Sequence, residues 1–178
     1  QAQNAPKKFI KIKKEVKIQQ GDAWAKLTPY EGFKVAYQMD YDHPMLAQAD
    51  KKFAELDFST ISYVKEISRA RTFGFMADYE MMQANNLALG ASLDNTVVLD
   101  DFRVINEDGI RYHNEMVRHK ILDAIGDLYL LGYGMIGAFS GVKSGHTLNN
   151  KLIKELLATP EAWELITCEE KKAPIRYA

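Results

Sequence analysis

The sequence predicts an α+β protein in which strands and helices form separate layers. In the first third of the chain, apolar and polar residues alternate as they do in half-buried strands. Residues 114–131 instead repeat their apolar side chains with a helical period, and an apolar run at 135–142 precedes a second helical pattern. Strand patterns gathered early in the chain and long helical patterns gathered late are typical of this class.

Four segments in the first third are predicted as strands. Phe9 to Ile18 alternates apolar residues with lysines, and alternation continues in Trp24 to Leu27, Gly32 to Tyr41 and Phe53 to Phe58. Glycine, proline and aspartate separate these segments, so we expect a meander of strands joined by turns. We interpret the lysines as the solvent face of a strand. A nucleic-acid surface, the alternative, would carry an accompanying aromatic or glycine pattern, which the sequence lacks.

The middle of the chain is predicted to contain shorter elements. A helix is expected to begin at Ser59 or Thr60, since either residue suits the N-cap position. A second helical pattern covers residues 78–85. Thr96 to Leu99 and Phe102 to Ile105 are short apolar runs typical of strands.

The second half of the chain is predicted to hold the longest elements. Asn114 to Leu131 forms a helix that ends at Gly132, because glycine suits the left-handed conformation of a helix C-cap. Met135 to Val142 is predicted as a buried strand, and a second helix runs from Gly145 to Ala158. No element is assigned after this helix.

Composition excludes several classes of protein. The 178 residues suffice for one domain with a real core. Lys and Arg total 23 against 24 Asp and Glu, so the net charge of -1 gives no overall reason to expect a nucleic-acid partner. No apolar run approaches the roughly 20 residues of a membrane span, and the polar start lacks a signal peptide's apolar core. A single cysteine, Cys168, fits a reducing compartment, so we expect a cytoplasmic protein.

The pattern most informative about function is a histidine followed by two aspartates at four-residue intervals in the predicted long helix. His119, Asp123 and Asp127 lie on one helical face, because residues four apart have Cβ atoms about 5–6 Å from each other. His119 and Asp123 can therefore reach one metal ion, although a simple ion pair on a solvated helix uses the same spacing. Catalytic zinc sites usually have three protein ligands, so two ligands indicate part of a site.

Several further motifs connect this helix with a known family: Asn4–Pro6, Ile67–Phe75, Ser92–Asn95, Asn106–Gly109, His119–Asp127 and Lys143–Asn150. Together they resemble the zinc-dependent UDP-3-O-acyl-N-acetylglucosamine deacetylases of lipid A synthesis, over the second of that family's two domains. The resemblance implies a two-layer sandwich of a mixed β-sheet packed on helices, with a short inserted strand–helix element. It divides the chain into an interdomain linker (1–8), a C-terminal deacetylase domain (9–165) and a tail (166–178).

The resemblance also implies roles for individual residues. His119 and Asp123 would bind Zn²⁺, with a third histidine ligand and a glutamate general base supplied by the preceding domain. His146, oriented by Asp127, would stabilise the developing oxyanion and protonate the leaving amine. Thr72 would hydrogen-bond the scissile carbonyl oxygen. Without the resemblance, His146 reads as an ordinary surface residue, Asp127 as a helix charge and Thr72 as a helix cap.

Substrate-binding residues are implied in the same way. Lys120 and Lys143 would contact phosphates of the nucleotide sugar, and Asp78 would help to hold a polar group at the same mouth. An apolar passage is expected for the long acyl chain, since each buried methylene contributes about 0.8 kcal/mol. Methionine and aromatic residues at such spacing are also common in ordinary cores. The candidate lining residues are Phe73, Phe75, Met76, Ala91, Ser92, Thr96 and Val98.

Two functions are consistent with these observations. In the first, the chain is the second domain of a zinc amidohydrolase that removes acetate from UDP-3-O-acyl-N-acetylglucosamine, the committed step of lipid A biosynthesis, and is inactive alone. In the second, the isolated domain binds the nucleotide sugar or the acyl chain without turnover. The expected partners are a UDP-sugar with a long acyl chain and the first domain, in the same or a separate chain. Neither nucleic acid nor a membrane span is expected.

Overall fold

The computed structural model describes residues 5–47 and 52–168. Residues 1–4 of the predicted linker and residues 169–178 of the predicted tail lie outside the described residues. One strand begins at Lys7 and another ends at Cys168, so the domain limits predicted at residues 9 and 165 both fall within strands.

Nine strands among the described residues form one large sheet and one small sheet. In chain order they are β1 (Lys7–Ile12), β2 (Val16–Gln20), β3 (Ala23–Thr28), β4 (Phe33–Gln38), β5 (Phe53–Asp57), β6 (Thr72–Phe75), β7 (Thr96–Leu99), β8 (Gly134–Val142) and β9 (Trp163–Cys168). β6 and β7 form the small sheet, and the other seven form the large one.

β8 joins the parts of the large sheet together. It pairs in parallel with β1 and β4 and antiparallel with β3. β9 adds antiparallel to β1, while β2–β3 and β4–β5 are antiparallel pairs. The mixed sheet is therefore confirmed, but the meander predicted for the first third is wrong. β1, β3 and β4 bond to β8 rather than to one another, since side-chain alternation reports a strand's faces and not its neighbours.

The described residues contain four α-helices: α1 (Tyr63–Glu66), α2 (Tyr79–Ala84), α3 (Glu115–Leu128) and α4 (His146–Ala158). α3 continues as a 3-10 turn over Tyr129–Leu131 and stops at Gly132, whose φ of 77° is left-handed. The predicted long helix, its glycine stop and the following helix are thus confirmed. Within the described ranges, none of the helices has the length and apolar character needed to cross a membrane.

α3 and α4 form the helical layer over the large sheet. α3 packs against β4, and α4 packs against β2 and β3. Val117 and Ile121 of α3 and Leu152 and Leu156 of α4 are fully buried. Burial of an aliphatic side chain of this size contributes about 1.5–3 kcal/mol. The layer fixes the position of α3, which also contacts β6 of the small sheet.

The small sheet belongs to an inserted element in which α2 lies between the parallel strands β6 and β7 in sequence. This confirms the predicted strand–helix insert. The strand predicted at Phe102–Ile105 is wrong, because only Val104 forms a bridge there, to Leu99. The carboxylate of Asp100 accepts the N–H groups of Phe102 and of the next residue, and this turn leaves too short a segment to form a ladder.

Three other segments differ from their predictions. The strand predicted from Phe9 to Ile18 is divided into β1 and β2, which pair with different neighbours. The helix predicted to begin at Ser59 or Thr60 has Ser62 as its N-cap residue. Ser59 and Thr60 instead close a turn on Asp57, with both main-chain N–H groups donating to that residue. β9 pairs with β1, which lies at the other end of the chain, so that no local pattern predicted this strand.

Candidate active site

Glu115, His119, Asp123 and Asp127 form one row along α3. Their four-residue spacing places successive Cα atoms about 6 Å apart along the helix axis and on adjoining positions of one face. Glu115 and His119 contact the residues that lead into β6, and Asp127 contacts the beginning of α4. The row therefore connects the inserted element with the second long helix.

The imidazole of His119 is held in one orientation by the main chain. Its Nδ1–H donates to the carbonyl oxygen of Ala70 at 3.0 Å, because a carbonyl can only accept. Its Nε2 lies 3.3 Å from Oδ1 of Asp123, and the two side chains are 18% and 23% exposed. In the neutral ring a lone pair on Nε2 faces a carboxylate oxygen, so these two atoms form a donor set suited to a cation.

The separation of the two atoms also suits one shared metal ion. Two ligands held tetrahedrally at about 2.0–2.1 Å from a metal are about 3.3 Å apart, which matches the 3.3 Å between His119 and Asp123. A ligating histidine almost always donates its other ring N–H to a carbonyl or a carboxylate, as His119 does. No group of three His, Cys, Asp or Glu side chains within the described ranges could hold a metal ion. Within these ranges His119 and Asp123 therefore form a pair of potential ligands and not a group of three.

Lys120 lies beside this pair and above a buried tyrosine. Its Nζ is 3.5 Å from Oδ2 of Asp123 and 5.9 Å from the ring centroid of Tyr37. The Tyr37 hydroxyl donates to the carbonyl oxygen of Ser144, and burial raises the pKa of Tyr37 to about 12. Tyr37 therefore stays neutral and ties β4 to the segment that precedes α4.

A cavity of about 210 Å³ whose lining mixes charged and aromatic side chains, here called the polar cavity, opens beside His119 and Asp123. It brings together five of the residues predicted for metal binding, catalysis or contact with the polar part of the substrate, although they come from β6, the turn that follows it and α3. These residues are Thr72, Asp78, His119, Lys120 and Asp123. The other lining residues are Tyr41, Phe73, Gly74, Phe75 and Met82.

A second, apolar cavity of about 600 Å³ lies within the inserted element. Its volume falls in the range of about 300–1,000 Å³ that is usual for ligand sites. Every residue predicted to line the acyl passage lies on its wall, namely Phe73, Phe75, Met76, Ala91, Ser92, Thr96 and Val98. All four residues of β6 line both cavities, so this strand is the wall they share.

Aromatic side chains pack the loop after β4 against β6. Tyr41 meets Phe73 edge to face with ring centroids 5.3 Å apart, and His43 stacks on Phe75 at 4.4 Å. Aromatic pairs of this kind contribute about 0.5–1.5 kcal/mol beyond their buried area. Tyr41 also lines the polar cavity, a position that the sequence did not predict because its loop carries no recognisable motif.

His146 and Asp127 form a hydrogen-bonded pair. Nδ1 of His146 lies 2.9 and 3.0 Å from the two carboxylate oxygens of Asp127, to which its N–H donates. Asn149, which is buried, donates its Nδ2–H to the same carboxylate at 2.8 Å. Asp127 is one helical turn beyond Asp123, so the pair lies about 6 Å further along α3. The sequence did not single out Asn149, although it belongs to the motif that begins at Lys143.

Lys143 occupies a different position from the other predicted substrate residues and lines neither of the two cavities. Its backbone is left-handed, with φ of 52°, and its ammonium group contacts both Asp22 and Asp40. The hydrogen bonds to Asp22 and Asp40 raise the pKa of Lys143, and Lys143 lowers the pKa of both carboxyl groups. Two acidic side chains therefore already neutralise this ammonium group.

A buried ion pair joins Arg71 to Glu115 at the first turn of α3. The Nε–H and the main-chain N–H of Arg71 donate to Glu115 Oε1 at 2.9 and 3.0 Å. Burial raises the pKa of the Glu115 carboxyl, but hydrogen bonds from Arg71 and from the Arg111 N–H outweigh it, so that the pKa is lowered. The sequence did not predict this pair. The available signal was a glutamate four residues before His119, in register with the row on α3.

The sequence matches one family of known proteins. The sequence model of the family described as UDP-3-O-acyl N-acetylglycosamine deacetylase covers residues 1–158. A curated relative named UDP-3-O-acyl-N-acetylglucosamine deacetylase from Thioalkalivibrio sulfidiphilus is 60% identical over 99% of this chain. Relatives of the same name from Coxiella burnetii and Chromohalobacter salexigens are 58% and 57% identical over 98% and 99% of it. The chain spans 58% of the length of each of these relatives.

Proposed function

Because this chain belongs to the UDP-3-O-acyl N-acetylglycosamine deacetylase family, we propose that it is the second domain of a zinc-dependent deacetylase of lipid A biosynthesis. The proposed reaction is hydrolysis of the N-acetyl amide of UDP-3-O-acyl-N-acetylglucosamine to the free amine and acetate. The observation that carries the proposal is the shared β6 wall, on one side of which lie His119 and Asp123 and on the other an apolar cavity of about 600 Å³. The proposed location is the cytoplasm, in keeping with a single cysteine.

His119 and Asp123 are proposed to hold the zinc ion. The Ala70 carbonyl supports this role, since it keeps the hydrogen on Nδ1 and the lone pair on Nε2. When bound, zinc would act as a Lewis acid and lower the pKa of a bound water toward about 7. A third ligand and the general base are proposed to come from the preceding domain, since the pair is one ligand short.

Thr72 and the His146–Asp127 pair are proposed to act on the reacting amide. The Thr72 hydroxyl would donate a hydrogen bond to the carbonyl oxygen as negative charge develops there. Donors placed in this way contribute about 10²–10³ in kcat. Asp127 accepts the Nδ1–H of His146 and so orients the ring, whose Nε2 would face the departing amine as the proton donor.

The substrate is proposed to occupy both cavities. Its acyl chain would lie in the apolar cavity, where each buried methylene contributes about 0.8 kcal/mol, and its sugar would lie in the polar cavity near Asp78. Lys120 and Lys143 would contact the phosphates. For Lys143 this contact would compete with Asp22 and Asp40, which already neutralise its ammonium group.

The proposal is tested by measuring deacetylation after the preceding domain is restored. We expect turnover in the restored protein and its loss in His119→Ala, whereas His113→Ala, which alters an exposed histidine six residues earlier, should retain activity. Turnover that survives His119→Ala would contradict the proposed metal site. Nucleotide-sugar or acyl-chain binding without any turnover would instead support the alternative of a non-catalytic binding domain.

A further inference from the structure

Three consecutive residues before and within β6 meet the candidate site at three different points. The carbonyl of Ala70 orients the His119 ring, Arg71 bonds to Glu115, and Thr72 lines the polar cavity. The peptide segment 70–72 is therefore the structural link between the His119 imidazole and the Thr72 hydroxyl. Whatever fixes this segment against α3 fixes the distance between these two groups.

Arg71 is tied to its surroundings by hydrogen bonds from both its backbone and its side chain. Glu115 accepts its main-chain N–H and its Nε–H, so both the backbone and the side chain of Arg71 are tied to the first turn of α3. On the far side of the guanidinium, Nη1 contacts Asp108 at 3.1 Å and Nη2 donates to the Gly109 carbonyl at 2.7 Å. Arg71 is 4% exposed and Glu115 is fully buried, so neither group is solvated.

Stabilisation of the fold does not by itself explain why an ion pair is buried here. Removing two charges from water carries a large desolvation cost, and apolar residues of similar volume are often at least as stabilising. Such a pair does, however, restrict geometry, because the N–H groups of a planar guanidinium can reach their acceptors in only a few arrangements. Here that geometry joins the segment 70–72 to the same helix face as His119, one turn away.

We propose that Arg71 and Glu115 are positioning residues. They set the Ala70 carbonyl against His119 and hold Thr72 at the correct distance from the two proposed zinc ligands. This inference rests on the proposed function. Partners that orient a metal-ligating histidine typically change metal affinity or activity by about 10–100-fold when they are altered. Loss of the Glu115 charge should therefore weaken zinc binding by about 10-fold or more and lower kcat with little change in KM.

The test uses the protein with its preceding domain restored and measures zinc affinity by competition with a chelator, together with kcat, KM and the free energy of unfolding. Glu115→Gln keeps the shape of the side chain and removes its charge. Arg71→Lys is the milder variant, since it keeps a charge and the main-chain N–H but loses the planar fork. Both variants should lower the zinc affinity, and Glu115→Gln should lower it more strongly.

Two control variants separate positioning from a general loss of stability. Asp108→Asn alters an exposed contact of the same guanidinium and should leave zinc affinity unchanged. Leu156→Ala removes a fully buried side chain of α4 and should destabilise the fold without changing zinc affinity. If Glu115→Gln and Arg71→Lys destabilise the protein as Leu156→Ala does but leave zinc affinity and kcat unchanged, the positioning role is wrong. If the unaltered restored protein neither binds zinc nor turns over, the failure lies in the proposed function instead.

Discussion

The imidazole of His119 takes its orientation from a main-chain carbonyl rather than from another side chain. Asp127, by contrast, is oriented by two side chains, His146 and Asn149, which bond to its carboxylate from the first turn of α4. Partners of this kind need not touch substrate, yet they decide which atom of each ring or carboxylate is left for other contacts. At the scale of single residues, the candidate site therefore depends on a larger set of side chains than the proposed chemistry uses.

The His146–Asp127 pair gives the first prediction. In the restored protein Asp127→Asn should lower kcat by about 10² or more, within the contribution of about 10²–10⁴ usual for general acid–base groups, because the His146 ring loses the carboxylate that orients it. KM should change little, since Asp127 lines neither cavity. Glu155→Gln, which alters an exposed carboxylate later on α4, is the matched control. Steady-state kinetics that show equal activity for both variants would contradict the role of Asp127.

The buried hydroxyl of Tyr37 gives a prediction about stability. Tyr37→Phe leaves the Ser144 carbonyl without the hydrogen bond that it accepts from Tyr37, so the free energy of unfolding should fall by about 1–3 kcal/mol. Tyr129→Phe, at a tyrosine that is 53% exposed, should change it by less than about 0.5 kcal/mol. Urea unfolding of both variants measures the difference, and equal stabilities would mean that the Tyr37 hydrogen bond contributes nothing.

The distance in sequence between two partners explains which parts of the site could be predicted at the residue scale. Helix geometry alone brings His119 and Asp123 together, so their four-residue spacing was enough to predict that they are neighbours. Asp127 and His146 are 19 residues apart, and Arg71 and Glu115 are 44 apart. No local sequence pattern indicates that residues so far apart in the chain are in contact. The first of these pairs was predicted only through a family resemblance, and the second was not predicted.

Among the elements, α3 and β6 together define the candidate site. α3 supplies the row of Glu115, His119, Asp123 and Asp127, and β6 separates the polar cavity from the apolar one. The long helices were predictable from the helical period of their apolar residues, and β8 from its continuous apolar run. The neighbours of β8 were not, since strand pairing is decided by residues far apart in the chain.

The first turn of α3 should carry part of the pH dependence of stability. The pKa of Glu115 is lowered from its ordinary value of 4.5, so its contribution is fully present above that pH and is lost as the pH falls through the folded-state pKa. The lost contribution is about 1.4 kcal/mol for each unit of lowering. Urea unfolding should therefore show the stability gap between the unaltered protein and Glu115→Gln shrinking below about pH 4.5. A gap that stays constant down to pH 3 would contradict this account.

The inserted element should control binding of the acyl chain. Ala91→Phe places an aromatic ring in the apolar cavity and should raise KM about 10-fold for a long-chain substrate, the equivalent of about two methylenes displaced. A short-chain analogue should be affected much less. Phe102→Ala, at a side chain that is 87% exposed and outside the cavity, serves as the control. An equal rise in KM for both chain lengths would show that the acyl chain does not occupy this cavity.

The whole molecule is a sheet-and-helix sandwich that carries the two proposed metal ligands, His119 and Asp123, and spans 58% of the length of its curated relatives. Its core is complete around the large sheet, with Leu27, Val35, Ile121 and Leu152 fully buried. The described ranges hold no group of three potential metal ligands. The central claim is therefore that folding of this domain and assembly of the metal site are separable, the second requiring the preceding domain.

Competitive chelator titration of zinc, with this chain alone and with the preceding domain restored, tests that claim most directly. Two ligands without a third should bind zinc weakly, and the restored protein should bind one ion tightly, because three protein ligands are usual in catalytic zinc sites. His119→Ala should abolish the tight binding. Tight one-to-one binding by this chain alone would mean that it supplies a complete site by itself, and would contradict the account.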